Sequence, residues 1–461
     1  MNLPDYFFAD LPPEATLSPA MIASSCDALK RNRAQYLLKR TTNDIVKTLC
    51  EVGAEWLQPA NHFRQQALEL GPAETGFSRA VLEHGLDDFF CQFTSDNFHQ
   101  LLKQELGQMQ RLDRFVAGAG EGHFTAEPGA EPGRLAMVQG PELLVHIAAG
   151  NIPNPTLMSL TLGLLTRSAQ FVKCARGASL LPRLFAHSLY EADRKLGACL
   201  ELAVWRGGDA ALENALFVAA DCVTATGSDE TLAAVRAVLP ARVRFLGYGQ
   251  RVSFGFVSRE ALRGENVAQV VADAAKDVIA WDQNGCLSPH VFYVEERGEV
   301  ESDRFAELLA VELAQREASM PRGSIPTEAA AVIASRRAIY ETLAVHRADA
   351  KIWQSQPSTA WTVVFEHDVR FKFSCLNRFI YVKPVPDLAA VMQGVDEIRG
   401  KVSTVGIAAP QEKSRELALH FARWGVPRIC PLGQMQNPPL TWRHDGRPAL
   451  GDLITWTDWE K

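Results

Sequence analysis

The sequence predicts an α/β protein in which a largely parallel sheet is flanked by helices. From Glu142 onward, short apolar runs alternate with turn residues and helical stretches, the rhythm of successive βαβ units. The 461 residues are 47% hydrophobic, enough for a sizeable core and long enough for two or three domains. Before Glu142 the pattern is mainly helical, so a helical N-terminal part leads into the α/β cores.

Residues 1–20 form a proline-containing lead-in. From about Ser24 to Glu105, apolar residues return at three and four without strand alternation, which predicts helices. The glycine-rich stretch Gly118–Gly133 reads as a surface loop, because its spacing fits neither a Walker loop nor a dinucleotide fingerprint. ELLVHIAAG is a strand ending at Gly150, and NIPNP makes the turn into an apolar helix. Strand–turn–helix then repeats through AQFVKCARGAS, LELAVWRGG and AADCVTATG. VRFLGYGQRVSFGFVS adds two further strands.

A second α/β unit is expected after Glu260. It opens with a helix over Glu265–Ile279, the turn WDQNGCLSP and the strand HVFYVEE. A helix over Ser302–Ser319 follows, then strands in TAWTVVFE, NRFIYVKPV and STVGIAA, with GVPRICPLG as a last sheet element. The tail WRHDGRPALGDLITWTDWE is rich in tryptophan and turn residues, and is expected to wrap along a domain edge or a partner subunit.

Composition narrows the function classes. The formal net charge is -7 with no long basic block, so no nucleic-acid partner is expected. Nine scattered cysteines give neither a disulfide framework nor a CxxC pair, and a reducing cytoplasm is the simpler setting. The N-terminus lacks the basic and apolar regions of a secretory signal, and no apolar run is long enough to predict a transmembrane segment.

Cys286 sits in a Gly- and Pro-marked turn between a helix and a strand, a place where a nucleophile is displayed. A lone turn cysteine is more often only a packing residue, so other positions decide. Asn151 follows a strand directly, and its amide is able to donate to a developing oxyanion, with the Cys286 N–H as a second donor. Lys173 is the only charged residue at an otherwise apolar strand end, placed to reach ribose hydroxyls or a phosphate. Arg176, three positions on, matches an additional 2′-phosphate. Thr226, Gly227 and Ser228 mark a strand-to-helix turn whose N–H groups suit a diphosphate, although Ser228 equally reads as a helix N-cap. No metal site is expected: Cys286 and His290 have no second pair at structural-zinc spacing. His146, alternating with apolar neighbours, reads as structural, and a serine-hydrolase elbow is missing.

Taken together, AAGNIPNPTLMSLTLGLLTRSAQFVKCARGAS, DCVTATGSDET, GYGQRVSFGFVS, WDQNGCLSP and RICPLGQM…WRHDG resemble the aldehyde dehydrogenase superfamily. Their order resembles most the acyl-CoA reductase branch, the fatty acid reductase type of bacterial luminescence operons. The resemblance implies an aldehyde dehydrogenase-like fold with a Rossmann-like cofactor domain and an α/β catalytic domain. The expected boundaries are 1–110 for a helical part of the cofactor domain, 111–258 for its core, 259–435 for the catalytic domain and 436–461 for a tail with an oligomer contact. It implies Cys286 as nucleophile, Asn151 as oxyanion donor, and Lys173, Thr226, Gly227 and Ser228 beside the cofactor. Arg176 lies near where many members keep an acidic ribose-binding residue, which leans toward NADPH over NADH. Where acid-forming members carry a glutamate-led ELGG turn, this chain has LGYGQ with Tyr248. The water-activating base is then missing, which fits thioester chemistry, where a free thiol is the acyl-transfer partner and no hydrolytic water is wanted.

The implied activity is NADPH-dependent reduction of an acyl thioester, acyl-CoA or acyl-carrier protein, to an aldehyde through a cysteine acyl-enzyme. CoA or a phosphopantetheine thiol is the co-substrate, and a homodimer is the preferred assembly. The alternatives are an aldehyde or semialdehyde dehydrogenase and a non-catalytic scaffold of a thioester-processing complex.

Overall fold

A computed structural model describes residues 3–12, 14–117 and 134–460. The predicted loop over Gly118–Gly133 lies wholly outside the described residues. The chain forms two compact units. The first comprises 1–67, 86–249 and 439–461, and the second 68–85 and 250–438.

The first unit holds β1 (Val116–Ala117), β2 (Arg134–Gln139), β3 (Leu143–Ile147), β4 (Ala169–Cys174), β5 (Leu200–Val204), β6 (Cys222–Thr226) and β7 (Arg244–Tyr248). The second holds β8 (Val252–Val257), β9 (Pro289–Glu295), β10 (Ala350–Gln354), β11 (Thr362–Glu366), β12 (Phe379–Val385), β13 (Val402–Ala408) and β14 (Arg428–Pro431). The tail returns to the first unit as β15 (Thr455–Glu460). It pairs antiparallel with β2 in a three-stranded sheet, an edge position consistent with its exposed side chains.

The parallel sheet of the first unit has the order β5-β4-β3-β6-β7. The order reverses between β3 and β6, the switch point at which open α/β sheets leave a crevice beyond the strand carboxyl ends. Leu143, Val145, Phe171, Ala203 and Val223 pack beneath the helices Pro19–Asn32 and Ala210–Ala219, through Ile22, Cys26, Leu29, Leu212 and Leu216. Polar groups also cross this sheet. His146 Nδ1 lies 2.7 Å from Thr224 Oγ1, and Nε2 lies 2.9 Å from Gln170 Oε1. Gln170 uses its amide nitrogen to donate to Leu160 O, so its Oε1 accepts. The imidazole is therefore the neutral Nε2–H tautomer, accepting from the threonine hydroxyl. A Cβ at Gly163 would stand 2.2 Å from Gln170 Oε1, so only glycine lets the helix Asn154–Leu165 approach this row.

The second unit is built on the order β10-β11-β12-β9-β8-β13-β14, parallel except for β10. Its central strands are buried on both faces, which is why they read as unbroken apolar runs. Phe292, Val294, Ile380 and Val382 fill one face, and Tyr293, Tyr381 and Val364 the other, with the period of two that a pleated strand imposes.

Several sequence boundaries move. The first unit ends at Gly249 and the second resumes at Gln250, not at 258/259, because β8 pairs with β9 and β13. VRFLGYGQRVSFGFVS thus supplies one strand to each sheet. Residues 68–85 belong to the second unit, and 439–461 to the first rather than to a separate tail. The helix Thr327–His346 and strand β10 were not anticipated.

Burial holds the His146 pKa down to about 4, below its ordinary 6.5, so the folded state resists protonation there. The stability this contributes is present above pH 6.5 and is lost as pH falls toward 4. His146→Leu strands Gln170 and Thr224 and is expected to cost about 1–3 kcal/mol at pH 7. Urea denaturation at several pH values should then show a shallower loss on acidification than in the wild type. Identical slopes would contradict a neutral buried imidazole.

Candidate active site

Cys286 is partly exposed and occupies the turn immediately before β9, at the amino ends of the parallel strands of the second unit. The approach to it is unusual. The helix Asn266–Ile279 ends, and Trp281, Asp282 and Gln283 then adopt positive φ angles of 50°, 47° and 64°. Left-handed backbone costs non-glycine residues about 1–2 kcal/mol each, so tertiary contacts must hold it.

Those contacts are specific. The Trp281 ring meets Phe77 edge-on at 5.2 Å. A Cβ at Gly85 would stand 2.2 Å from that indole, so glycine makes room for it. The Asp282 carboxylate is buried and accepts from Arg378 Nε at 2.8 Å and from the Gly323 N–H at 3.0 Å. Gln283 donates to the carbonyls of Pro289 at 2.7 Å and Phe379 at 2.9 Å. Leu376, Asn377 and Arg378 are themselves left-handed, with φ of 56°, 53° and 64°. Two left-handed segments, one before β9 and one before β12, thus lock each other. Burial raises the Asp282 pKa, and Arg378 and the Gly323 N–H oppose the rise.

The turn itself closes through Ser288 N–H to Gly285 O at 3.0 Å. Ser253 on β8 donates to Cys286 O at 2.8 Å, and the Gln436 amide donates to Ser288 Oγ. His290, four residues past the cysteine, is engaged elsewhere. Its Nδ1 accepts from Ser374 N–H at 3.0 Å, and its ring packs edge-on with Phe371 and Phe373. Burial holds its pKa down to about 4, so it is neutral at pH 7.

The remaining predicted residues lie in the first unit, at the carboxyl ends of adjacent strands β3, β4 and β6. Asn151 is exposed in the turn after β3. Lys173 is half-buried on β4, paired in register with Ile147 of β3. Burial lowers its pKa, and Glu213 opposes that. Arg176 is exposed in the turn after β4. Thr226 ends β6, Gly227 N–H donates to Tyr248 O at 3.2 Å, and the Ser228 hydroxyl accepts from Thr231 N–H at 3.3 Å as the N-cap of the helix Asp229–Val238. That helix carries Asp229 and Glu230 in its first turn. Its dipole is partly offset by them, so the exposed backbone of the turn is better suited to a diphosphate than the helix axis. Tyr248 is stacked on His444 at 4.6 Å, with the Arg447 guanidinium 5.5 Å from the centroid of its ring, and burial pushes its pKa up to about 12.

Among the described residues, no group of three or more His, Cys, Asp or Glu side chains is gathered as for a metal ion. No described helix is long and apolar enough to cross a membrane. A cavity of about 650 Å³ lies against the helix Thr327–His346 and the carboxyl end of β11, lined by Arg336, Tyr340, Glu366 and Lys372 among others. It does not include Cys286. Glu366 there is tied to Lys372 at 2.7 Å, Lys383 at 2.5 Å and the Tyr340 hydroxyl at 2.9 Å. Sequence reasoning missed Ser253, Arg378, Arg428 and Gln436, since nothing local to them signals proximity to the cysteine turn.

Residues 37–456 match the acyl-CoA reductase family LuxC. The chain belongs to this family. A long-chain acyl-protein thioester reductase from Aliivibrio fischeri is 23% identical over 435 residues, covering 91% of this chain and 82% of that protein. Long-chain acyl-protein thioester reductase 2 of Photobacterium leiognathi is 22% identical, over 92% of this chain and 83% of that protein. Among solved structures, the putative aldehyde dehydrogenase PutA of Anabaena variabilis superposes with a TM-score of 0.68 at 16% identity, covering 96% of this chain and 93% of that one. An NAD-dependent benzaldehyde dehydrogenase from Corynebacterium glutamicum gives 0.67 at 14% identity, covering 99% and 94%. The fold of this family member is therefore the aldehyde dehydrogenase-like α/β fold the sequence predicts.

Removing one partner of the buried Asp282–Arg378 pair is expected to be costly. Arg378→Leu should destabilise the protein by about 3–5 kcal/mol, because the carboxylate stays buried without its cation. Adding Asp282→Asn should restore part of that loss. A double-mutant cycle showing simple additivity in chemical denaturation would contradict the coupling.

Proposed function

We propose that this protein reduces an acyl thioester to the aldehyde through a covalent intermediate on Cys286, with NADPH as the reductant. The observation that carries the reading is a partly exposed cysteine held on a locked turn, in a chain of the acyl-CoA reductase family. The names of its relatives favour a long acyl chain delivered on a protein, with acyl-CoA as the alternative donor.

The Cys286 thiolate attacks the thioester carbonyl, and a carbon–sulfur bond forms as the carbonyl pair moves onto oxygen. The Cys286 N–H and, in the role the resemblance gives it, the Asn151 amide are the donors proposed for that oxyanion. Collapse expels the carrier thiolate and leaves the acyl group on Cys286. NADPH, when bound, would supply the hydride that takes this thioester to the aldehyde level. Breaking the Cys286–carbon bond then frees the aldehyde and restores the thiolate.

The first unit suits a nicotinamide dinucleotide in its donor set. Lys173 offers an ammonium at a strand end, the Thr226–Ser228 turn offers backbone N–H groups, and exposed Arg176 offers a guanidinium for a 2′-phosphate. Tyr248, stacked by the WRHDG segment, stands where a hydrolytic glutamate would otherwise be expected, which supports transfer to and from thiols over hydrolysis.

Cys286→Ala is expected to abolish NADPH-dependent aldehyde formation while the thermal melt stays near that of the wild type. Full turnover in a folded Cys286→Ala protein would overturn the assignment. Asn151→Ala should slow acylation about 100- to 1000-fold, the usual loss for one oxyanion donor, with little change in NADPH affinity. An unchanged acylation rate would remove Asn151 from the oxyanion site.

A further inference from the structure

We infer that Arg428 is a positioning residue for Cys286: hydrogen-bonded ties from the Cys286 carbonyl and from the Ser288 hydroxyl converge on its buried guanidinium. The inference rests on the proposed reading of Cys286 as the nucleophile.

The first tie runs across the sheet. Pro289 of β9, Ser253 of β8, Thr404 of β13 and Arg428 of β14 are successive register partners, forming one row at the amino ends of these strands. The pairing slips by a residue in that row, between Ser253 and Phe254 and between Val402 and Thr404. Such irregularities redirect side chains locally. Arg428 lies 3.5 Å from Thr404 Oγ1, the Thr404 N–H donates to Ser253 Oγ at 3.1 Å, and Ser253 donates to Cys286 O at 2.8 Å.

The second tie runs through the loop after β14. Arg428 donates to Met435 O at 2.6 Å and to Gln434 O at 2.7 Å. From the opposite side, Asp277 accepts the N–H groups of Gly433 at 2.6 Å and Met435 at 2.9 Å. The loop is thus clasped by its carbonyls and its N–H groups at once. It delivers Gln436 to the hydroxyl of Ser288, two residues past the cysteine.

The charge of the guanidinium acts alongside these bonds. Arg428 is 8% exposed. Burial lowers its pKa, and the negative forms of Cys430 on its own strand, Asp277 on the helix Asn266–Ile279 and Cys286 oppose that. Cys430 is buried with its pKa pushed up to about 12, so it stays a neutral thiol at pH 7. A thiolate at Cys286 interacts favourably with the guanidinium, as cations near reactive cysteines generally do.

The test is the pH profile of Cys286 alkylation by iodoacetamide, followed by peptide mass mapping in the full-length wild type, Arg428→Met and Arg428→Lys. The reaction needs neither substrate nor cofactor. In Arg428→Met the half-maximal pH should move up by about one unit, about a tenfold slower alkylation at pH 7. Arg428→Lys keeps the charge but cannot span the same acceptors, so its profile should stay near the wild type while acylation by an acyl thioester slows. A Met-variant profile overlying the wild type, in a protein with an unchanged melt, overturns the inference. Should Arg428→Met fail to fold, wild-type acylation by a folded Arg428→Lys protein overturns it instead. If Cys286 takes no acyl group even in the wild type, the proposed function fails, yet the alkylation profile still reports on Arg428.

Discussion

The cysteine turn depends on one buried ion pair, Asp282 with Arg378. Trp281, Asp282 and Gln283 are left-handed, and so are Leu376, Asn377 and Arg378. Neither segment contains a glycine to make that conformation inexpensive. Each persists because the other supplies its partner. Arg378 satisfies Asp282 and also donates to Glu317 at 2.9 Å and Met320 O at 2.7 Å. Gln283 reaches forward to Pro289 and across to Phe379, so the chain entering β9 is fixed before the cysteine is reached. Strained backbone of this kind persists where surrounding structure over-determines it, and here it leads directly into the turn that carries Cys286, the proposed nucleophile.

In the proposed function, the two chemical tasks fall to different units of the chain. The second unit presents Cys286 at the amino ends of parallel strands, while the first gathers Asn151, Lys173 and Thr226–Ser228 beyond the carboxyl ends of β3, β4 and β6. The latter is where a doubly wound sheet leaves room for a dinucleotide. At the former, side chains from β8, β13 and β14 hold the turn. Rigidity is what a thioester-forming cysteine requires, since a displacement of the nucleophile costs rate steeply.

Much of this was legible in the sequence. The strand–turn–helix rhythm located β3 to β9 and β11 to β14, because strands buried on both faces are written as short apolar runs between breakers. Cys286, Asn151 and Lys173 stood out because each is a reactive or polar residue where such a run meets a turn. Other features were hidden for physical reasons. The helix Thr327–His346 carries alanine, valine and isoleucine around its circumference, with Val332 and Ile339 exposed, so its apolar stripe is poorly marked. The left-handed Trp281–Gln283 segment has no local signal, since the contacts that stabilise it come from residues far along the chain. The excursion of 68–85 into the second unit is equally non-local. Arg428 reads in sequence as one more strand-end arginine, and only the register of β8, β13 and β14 brings it into the row behind the cysteine.

The fate of the acyl group decides most directly whether Cys286 is the nucleophile. Purified protein incubated with a long-chain acyl thioester, without NADPH, should gain the mass of one acyl group in intact-mass spectra. Peptide mapping should place it on the segment containing Cys286, and later addition of NADPH should remove it with release of aldehyde. Aldehyde formation with no acyl-protein species, or acylation mapped to a different cysteine, would contradict the account.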